Sequence, residues 1–250
     1  MGKILHVGFP KTATTYLQSE VFPKINNIKF LPLDGTDKKA IDALLKIRNV
    51  YKPIDPDAIK TILSPYDLIS LESLSGDIYS SNIEDRKIIA QRLKIIFPHS
   101  KILIGIRNKN AIIRSAYSQY IKEGGIYRYE DYISKVIHQD RFKFNNYIKI
   151  MQDLFNSKNV HIYKFEDLKQ SPEKTIHEMT HFIGKNIDEF KIRSYNVSWD
   201  VKQIKTCRRL NRFFRTRLNP YGIIPYPKIL VRKSAKLFPP RLLVDRLVKY

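Results

Sequence analysis

Short, uninterrupted apolar runs recur along the chain: "KILHVG" (3–8), "IKFLP" (28–32), "DLISLE" (67–72), "KILIGI" (101–106) and "VHIYKF" (160–165). Each has the length of a strand, and continuous rather than alternating apolarity suits a strand covered on both faces. Between them the apolar spacing changes to a helical period over 13–22, 38–50, 84–97, 110–122, 141–156 and 173–184. Strands alternating with helices predict βαβ units: an α/β, three-layer α-β-α sandwich around a central, mostly parallel sheet. After about residue 190 the strand signals stop. Basic amphipathic stretches follow, predicted as helices broken at Pro220, Pro225, Pro227, Pro239 and Pro240. The expected organisation is an α/β domain over 1–200 and a basic helical segment over 201–250 that packs on it or extends from it.

Open parallel sheets bind ligands beyond the carboxyl ends of their strands. That rule converts the strand list into a list of side chains. The first strand ends at the turn Lys11–Thr15, the "DLISLE" strand at Glu72 and Ser73, and the "KILIGI" strand at Arg107 and Asn108. Two cations and a carboxylate therefore converge on one sheet edge, which suits chemistry on an anion.

The turn itself, "GFPKTATT" (8–15), places a lysine and three threonines between a strand and a helix. Helix N-termini offer free N–H groups and a favourable dipole to anions. The turn is not a Walker A loop: Lys11 follows Gly8 by three residues, and the second glycine of that motif is missing. It is too short to wrap a diphosphate, but its amides and the hydroxyls of Thr14 and Thr15 can serve one terminal phosphate.

Composition adds charge to this picture. The 250 residues carry a formal net charge of +21. Residues 191–250 hold sixteen Lys/Arg against two acids, fourteen of the twenty-one excess charges. Such a block suits an anionic partner: nucleic acid, a membrane surface or an acidic glycan. The single cysteine, Cys207, excludes a disulfide framework and a Cys-rich zinc site. The chain opens on a strand pattern rather than a signal-peptide core, and no apolar run approaches the ~20 residues of a membrane span. The expected location is the cytoplasm, with peripheral association at the inner face of the membrane.

Taken together, "PKTATTYLQ" (10–18) resembles the 5′-phosphosulfate loop of the PAPS-dependent sulfotransferases, P-K-[TS]-G-T-[TS]-[WFY]-L. "IRNKNAIIRSAYSQY" (106–120) resembles their 3′-phosphate segment, with Arg107 at a strand end and Ser115 eight residues on. "YSQYIKEGG" (117–125), "YKFEDLKQSPE" (163–173) with its helix to Gly184, and "NVSW" (196–199) resemble bacterial members, particularly those acting on carbohydrates. The resemblance covers roughly residues 3–200. It departs at Ala13, where the family has glycine, and at Lys109, where many members have proline. It also lacks the Gly-rich basic segment near the C-terminus of the cytosolic animal enzymes.

This resemblance implies sulfuryl transfer from PAPS, with PAP as product and no metal, to a carbohydrate or glycolipid hydroxyl or to an amine. It implies that Lys11 stabilises the sulfuryl group and the leaving oxygen. Thr12, Ala13, Thr14 and Thr15 would hold the 5′-phosphate; Arg107 and Ser115 would hold the 3′-phosphate. The acceptor must lose a proton, and Glu72 is the candidate base. His6 lies inside a strand, as a core histidine would, and His99 precedes its strand at the opposite sheet edge.

Two other readings compete. "HEMTHFIG" (177–184) satisfies H-E-x-x-H, but Ile187 stands where a third zinc ligand would fall, and His177 and His181 lie opposite the apolar helix face. The alternative to an enzyme is a nucleic-acid or anionic-surface binding protein, with Phe213, Phe214, Tyr221 and Tyr226 interleaved in the basic tail. Its residues lie apart from the PAPS-type motifs, so nucleic acid is disfavoured as the main partner.

Overall fold

A computed structural model describes residues 2–82, 84–192 and 199–225. The described residues fall into two compact units, one from 2–108 and 138–192 and the other from 109–137 and 199–225. Residues 109–137, expected within a single domain over 1–200, group with the C-terminal part.

The first unit is built on four parallel strands, β1 (Ile4–His6), β2 (Leu68–Ser70), β3 (Lys101–Ile106) and β4 (Val160–Lys164), in the order β2-β1-β3-β4. Leu5 pairs with Ile69 on one side and Ile102 on the other, and Leu103 pairs with His161. Residues of one parity, Ile4, Leu68, Leu103 and Tyr163, pack into a core with Tyr16, Leu17, Phe22, Ile176, Met179 and Ile183. These come from the turn-to-helix segment that starts at α1 (Thr14–Tyr16) and from α9 (Pro172–Ile183). The opposite parity, Leu5, Ile69, Ile102 and Ile104, is equally buried, and α7 (Phe144–Phe155) packs on β3 and β4 beside α4 (Asp85–Ile96). Both faces of the sheet are covered. That is why its strands read as continuous apolar runs, and it makes the unit a three-layer α-β-α arrangement.

Helices α2 (Lys38–Arg48) and α3 (Pro56–Leu63) complete the layer of α4. Each starts at an aspartate, Asp37 and Asp55, whose carboxylate accepts from the amide of the residue three positions on. Helix α8 (Phe165–Gln170) joins β4 to α9, which ends at the left-handed Gly184.

Three expectations need correction. Residues 28–32 form no strand: only a single parallel bridge, Phe30 to Leu68, joins them to the sheet, because Pro32 ends the segment and cannot donate. The helix expected over 13–22 is a short α-turn that continues as a π-turn, Leu17–Val21, and a 3-10 turn, Phe22–Lys24, at Pro23. Strand pairing also occurs beyond residue 190, in the second unit, where β5 (Phe214–Arg215) pairs with β6 (Ile224–Pro225).

Within the second unit, α10 (Val201–Asn211) packs on α5 (Lys109–Lys122). It opens with a capping box between Asp200 and Gln203. Tyr117 and Tyr120 stack on each other, and both pack at a tilt on Tyr132, between α5 and α6 (Tyr129–Lys135). The helix expected over 241–250 lies outside the described residues.

Candidate active site at the carboxyl ends of the strands

The loop after β1 stays paired with β3 before it turns: the Val7 and Phe9 amides donate to the Leu103 and Gly105 carbonyls at 3.1 and 2.7 Å. Two glycines permit this close passage. Gly8 has φ of 101°, and a Cβ there would stand 2.7 Å from the Glu72 carbonyl oxygen, so the loop can pass against the Glu72 backbone. A Cβ on Gly105 would stand 2.4 Å from the Tyr163 ring and 2.7 Å from Thr12 Oγ1. Neither role was legible in the sequence, because each depends on a neighbour far away along the chain.

Lys11 and Ala13 both adopt left-handed backbone, with φ of 67° and 69°. The chain thereby reverses into α1, whose first bond runs from the Leu17 amide to the Ala13 carbonyl at 3.1 Å. The amides of the first turn have no intrahelical partner. Left-handed geometry costs a residue with a Cβ about 1–2 kcal/mol, while glycine loses about 0.4–1 kcal/mol through its freer unfolded chain. Ala13→Gly is therefore expected to raise stability by about 0.5–1 kcal/mol in urea unfolding. A variant no more stable than the parent would show that the turn stores no strain at Ala13.

Glu72 opens a short 3-10 turn, Glu72–Ser75, just beyond β2. Burial raises the pKa of its carboxyl, and Lys11 and Thr14 nearby hold it partly down. Thr14 is 6 % exposed, and its Oγ1 is buried without a well-formed hydrogen bond. Thr15 is exposed and Lys11 half-buried. Thr12 differs from expectation: it is fully buried and donates its hydroxyl to the Phe9 carbonyl at 2.5 Å. Its hydroxyl fixes the turn, and only its backbone amide could serve an anion.

At the end of β3, Arg107 Nη1 donates to the Lys11 carbonyl at 3.0 Å, and its guanidinium lies 4.1 Å from the Phe165 ring centroid. Burial lowers its pKa and Glu166 opposes that. Its Nε is buried and unpartnered. Lys11, Thr14, Glu72 and Arg107 thus meet in the first unit; Ser115 belongs to the second, half-exposed on α5.

The floor of the turn is a buried hydrogen-bond chain. Gln18 Nε2 donates to Ser70 Oγ at 3.0 Å, Ser70 Oγ pairs with His6 Nδ1 at 2.7 Å, and His6 Nε2 pairs with Tyr163 Oη at 2.9 Å. Tyr163 Oη then donates to the Thr12 carbonyl at 3.2 Å. Since Tyr163 uses its one hydroxyl proton on the Thr12 carbonyl, its oxygen accepts from His6, which assigns the proton of His6 to Nε2 and leaves Nδ1 to accept from Ser70. Burial depresses the His6 pKa to about 3, so the ring stays neutral, and both of its nitrogens are taken up within the buried chain. His99 is exposed at the opposite sheet edge.

A second group had no signal in the sequence. Arg141, 1 % exposed, forms two 2.6 Å bonds to the Asp85 carboxylate and also donates to the Asp77 and Asn82 carbonyls. Arg86 Nε donates to the Ser75 carbonyl at 2.8 Å, and Tyr147 Oη donates to that of Leu74 at 3.2 Å. Burial, with Arg141 beside it, lowers the Arg86 pKa to about 10. The segment after Glu72 is pinned by its own carbonyls, which arginines at polar-looking positions do not advertise.

The H-E-x-x-H residues lie elsewhere. His177 and His181 are exposed on α9, whose buried face is Ile176, Met179 and Ile183. Among the described residues no three His, Cys, Asp or Glu side chains are grouped to hold a metal ion, and no helix is long and apolar enough to cross a membrane.

No curated protein matches the chain. Among solved structures, a sulfotransferase from Alicyclobacillus acidocaldarius shares 17% identity at a TM-score of 0.55, over 85% of this chain and 93% of that one. A sulfotransferase domain from the curacin biosynthetic pathway shares 15% at 0.45, over 75% of each chain. Mouse sulfotransferase SULT7A1 complexed with PAP shares 16% at 0.46, over 85% of this chain and 64% of that one. The first likeness supports the fold. The family profile described as "Sulfotransferase domain" matches residues 2–215 and so spans the strand-end loop, Glu72 and Arg107 alike: the chain belongs to the sulfotransferase family.

Proposed function

We propose that the protein transfers the sulfuryl group of PAPS to a hydroxyl, or an amine, of a carbohydrate or glycolipid acceptor, by in-line displacement with Glu72 as base. The observation that carries the reading is the meeting of Lys11, Thr14 and Glu72 with a loop that Arg107 grips from the next strand. One buried polar atom there, Arg107 Nε, has no hydrogen-bond partner, and Thr14 Oγ1 makes no well-formed bond, which fits a site built to receive phosphate oxygens. When bound, the nucleotide supplies an activated sulfuryl group with a phosphate leaving group.

The residues of this chain supply position and electrostatics. The amides of the left-handed turn and the Thr14 hydroxyl hold the 5′-phosphate. Lys11 places a cation where negative charge grows in the transition state. Arg107 and Ser115 hold the 3′-phosphate through charge-assisted bonds. Glu72, kept poorly solvated, takes the acceptor proton, and no metal takes part. The carbohydrate class rests on the resemblance of residues 117–125, 163–173 and 196–199 to bacterial members. The protein is assigned to the cytoplasm, its basic C-terminal quarter associating with the anionic inner face of the membrane.

The test is a calorimetric comparison of PAP with ADP, followed by a PAPS-dependent transfer screen over glycans and glycolipids read by mass increase. PAP is expected to bind more tightly than ADP, and Arg107→Ala to cost about 1.5–3 kcal/mol in PAP affinity. Turnover is expected to survive EDTA. Equal affinity for PAP and ADP in the parent protein removes the 3′-phosphate site.

A further inference from the structure

The second unit carries an exposed knuckle, residues 212–225, on a frame whose polar groups are paired. Asn211 is fully buried and donates its amide to the Ile121 and Gly125 carbonyls, both at 2.8 Å. Asn219, 2 % exposed, donates to the carbonyls of Asn211, Arg212 and Phe214. The Thr216 amide donates to the Asn219 carbonyl at 2.9 Å and the Ile224 amide to that of Phe213 at 2.7 Å. Gly222 fits so closely that a Cβ would stand 2.1 Å from the Phe214 carbonyl carbon.

This frame holds apolar side chains outward. Tyr221 is 92 % exposed, Ile223 77 %, Phe213 51 % and Ile224 46 %. Around them Arg212, Arg215 and Arg217 are exposed, and residues 201–225 contain seven Lys/Arg and no acid. A turn fixed by buried asparagines has no need of isoleucine at its tip, and clustered exposed apolar residues within polar surroundings mark interaction sites.

Charge selects an anionic partner, and the isoleucines select among anionic partners. Nucleic acid would stack on Phe213 and Tyr221 but leave Ile223 and Ile224 wet. A bilayer buries the isoleucines together with Tyr221 and meets the arginines with its phosphates, as interfacial elements with aromatic and aliphatic tips do. We propose that the knuckle docks the protein on an anionic lipid surface, with Tyr221, Ile223 and Ile224 entering the headgroup boundary and Arg212, Arg215 and Arg217 on lipid phosphates. This rests on the proposed membrane association and assigns it to residues 212–225 rather than to basic charge in general.

The experiment is co-sedimentation of the full chain with phosphatidylcholine vesicles, with and without phosphatidylglycerol, at low and high salt. The parent is expected to bind only the anionic vesicles and to be released by salt. Tyr221→Ser/Ile223→Ser/Ile224→Ser is expected to weaken partitioning about tenfold or more, and Arg212→Gln/Arg217→Gln about thirtyfold, with PAP binding unchanged in both. A nitroxide on Ile223→Cys is expected to become accessible to oxygen and shielded from aqueous nickel on binding; Cys207 is buried. Parental partitioning by both variants, or a label that stays in water, overturns the knuckle while leaving membrane association in place. Parent protein that ignores anionic vesicles at low salt overturns both.

Discussion

Glu72→Gln is expected to lower turnover by about 10²–10⁴-fold, the usual contribution of a positioned general base, while PAP binding and the fold persist. The substitution keeps the size and shape of the side chain and removes its charge and its capacity to take a proton. Burial raises the Glu72 pKa above its ordinary value, and Lys11 and Thr14 restrain the rise. The acidic limb of the parent pH–rate profile should therefore lie above the usual carboxylate range, and the variant should lose that limb. The same burial has an opposite effect on stability. A carboxyl whose folded pKa is raised holds its proton more tightly in the native state, so its contribution is favourable below the unfolded pKa and falls as pH rises through the folded one. Glu72→Gln is thus expected to gain in melting temperature relative to the parent as pH increases from 4 to 7.5, while activity is lost. A near-normal rate with an unchanged acidic limb assigns the base to another residue.

Glu72 belongs to the part of the site that the sequence discloses. The strands at 3–8, 67–72, 101–106 and 160–165 announced themselves because burial on both faces demands unbroken apolarity. The strand-end rule then carried Lys11, Glu72 and Arg107 to one edge without distances. Residues 28–32 had the same apolarity, but Pro32 limits them to one bridge. What stayed hidden depends on distant partners. The resemblance implies that Thr12 is a phosphate ligand, yet its hydroxyl is used within the turn. Arg86 and Arg141 sit where surface arginines would be expected, and their burial follows from carbonyls 11 and 64 residues away. The β5–β6 pair is too short for any period to register.

Lys11→Ala is expected to reduce kcat by about 10²–10³-fold, the cost of removing one preorganised transition-state contact, while PAP affinity changes by less than tenfold. The separation follows from the turn. The Lys11 backbone is left-handed, and Arg107 holds its carbonyl; alanine keeps both features, so the amides that grip phosphate stay in place. Only the ammonium is lost, and its main contact is with charge that develops during transfer, which appears in kcat rather than in ground-state binding. Lys11 also attracts the Glu72 carboxylate. Its removal should raise the Glu72 pKa further, so the acidic limb of the residual activity is expected to shift to higher pH than in the parent. A structural loss would not produce that shift. Saturation kinetics across pH, with calorimetric PAP titrations alongside, measure all three quantities on one variant. If Lys11→Ala loses PAP affinity but keeps kcat at saturation, Lys11 is a nucleotide anchor and the transition-state charge is met by another group.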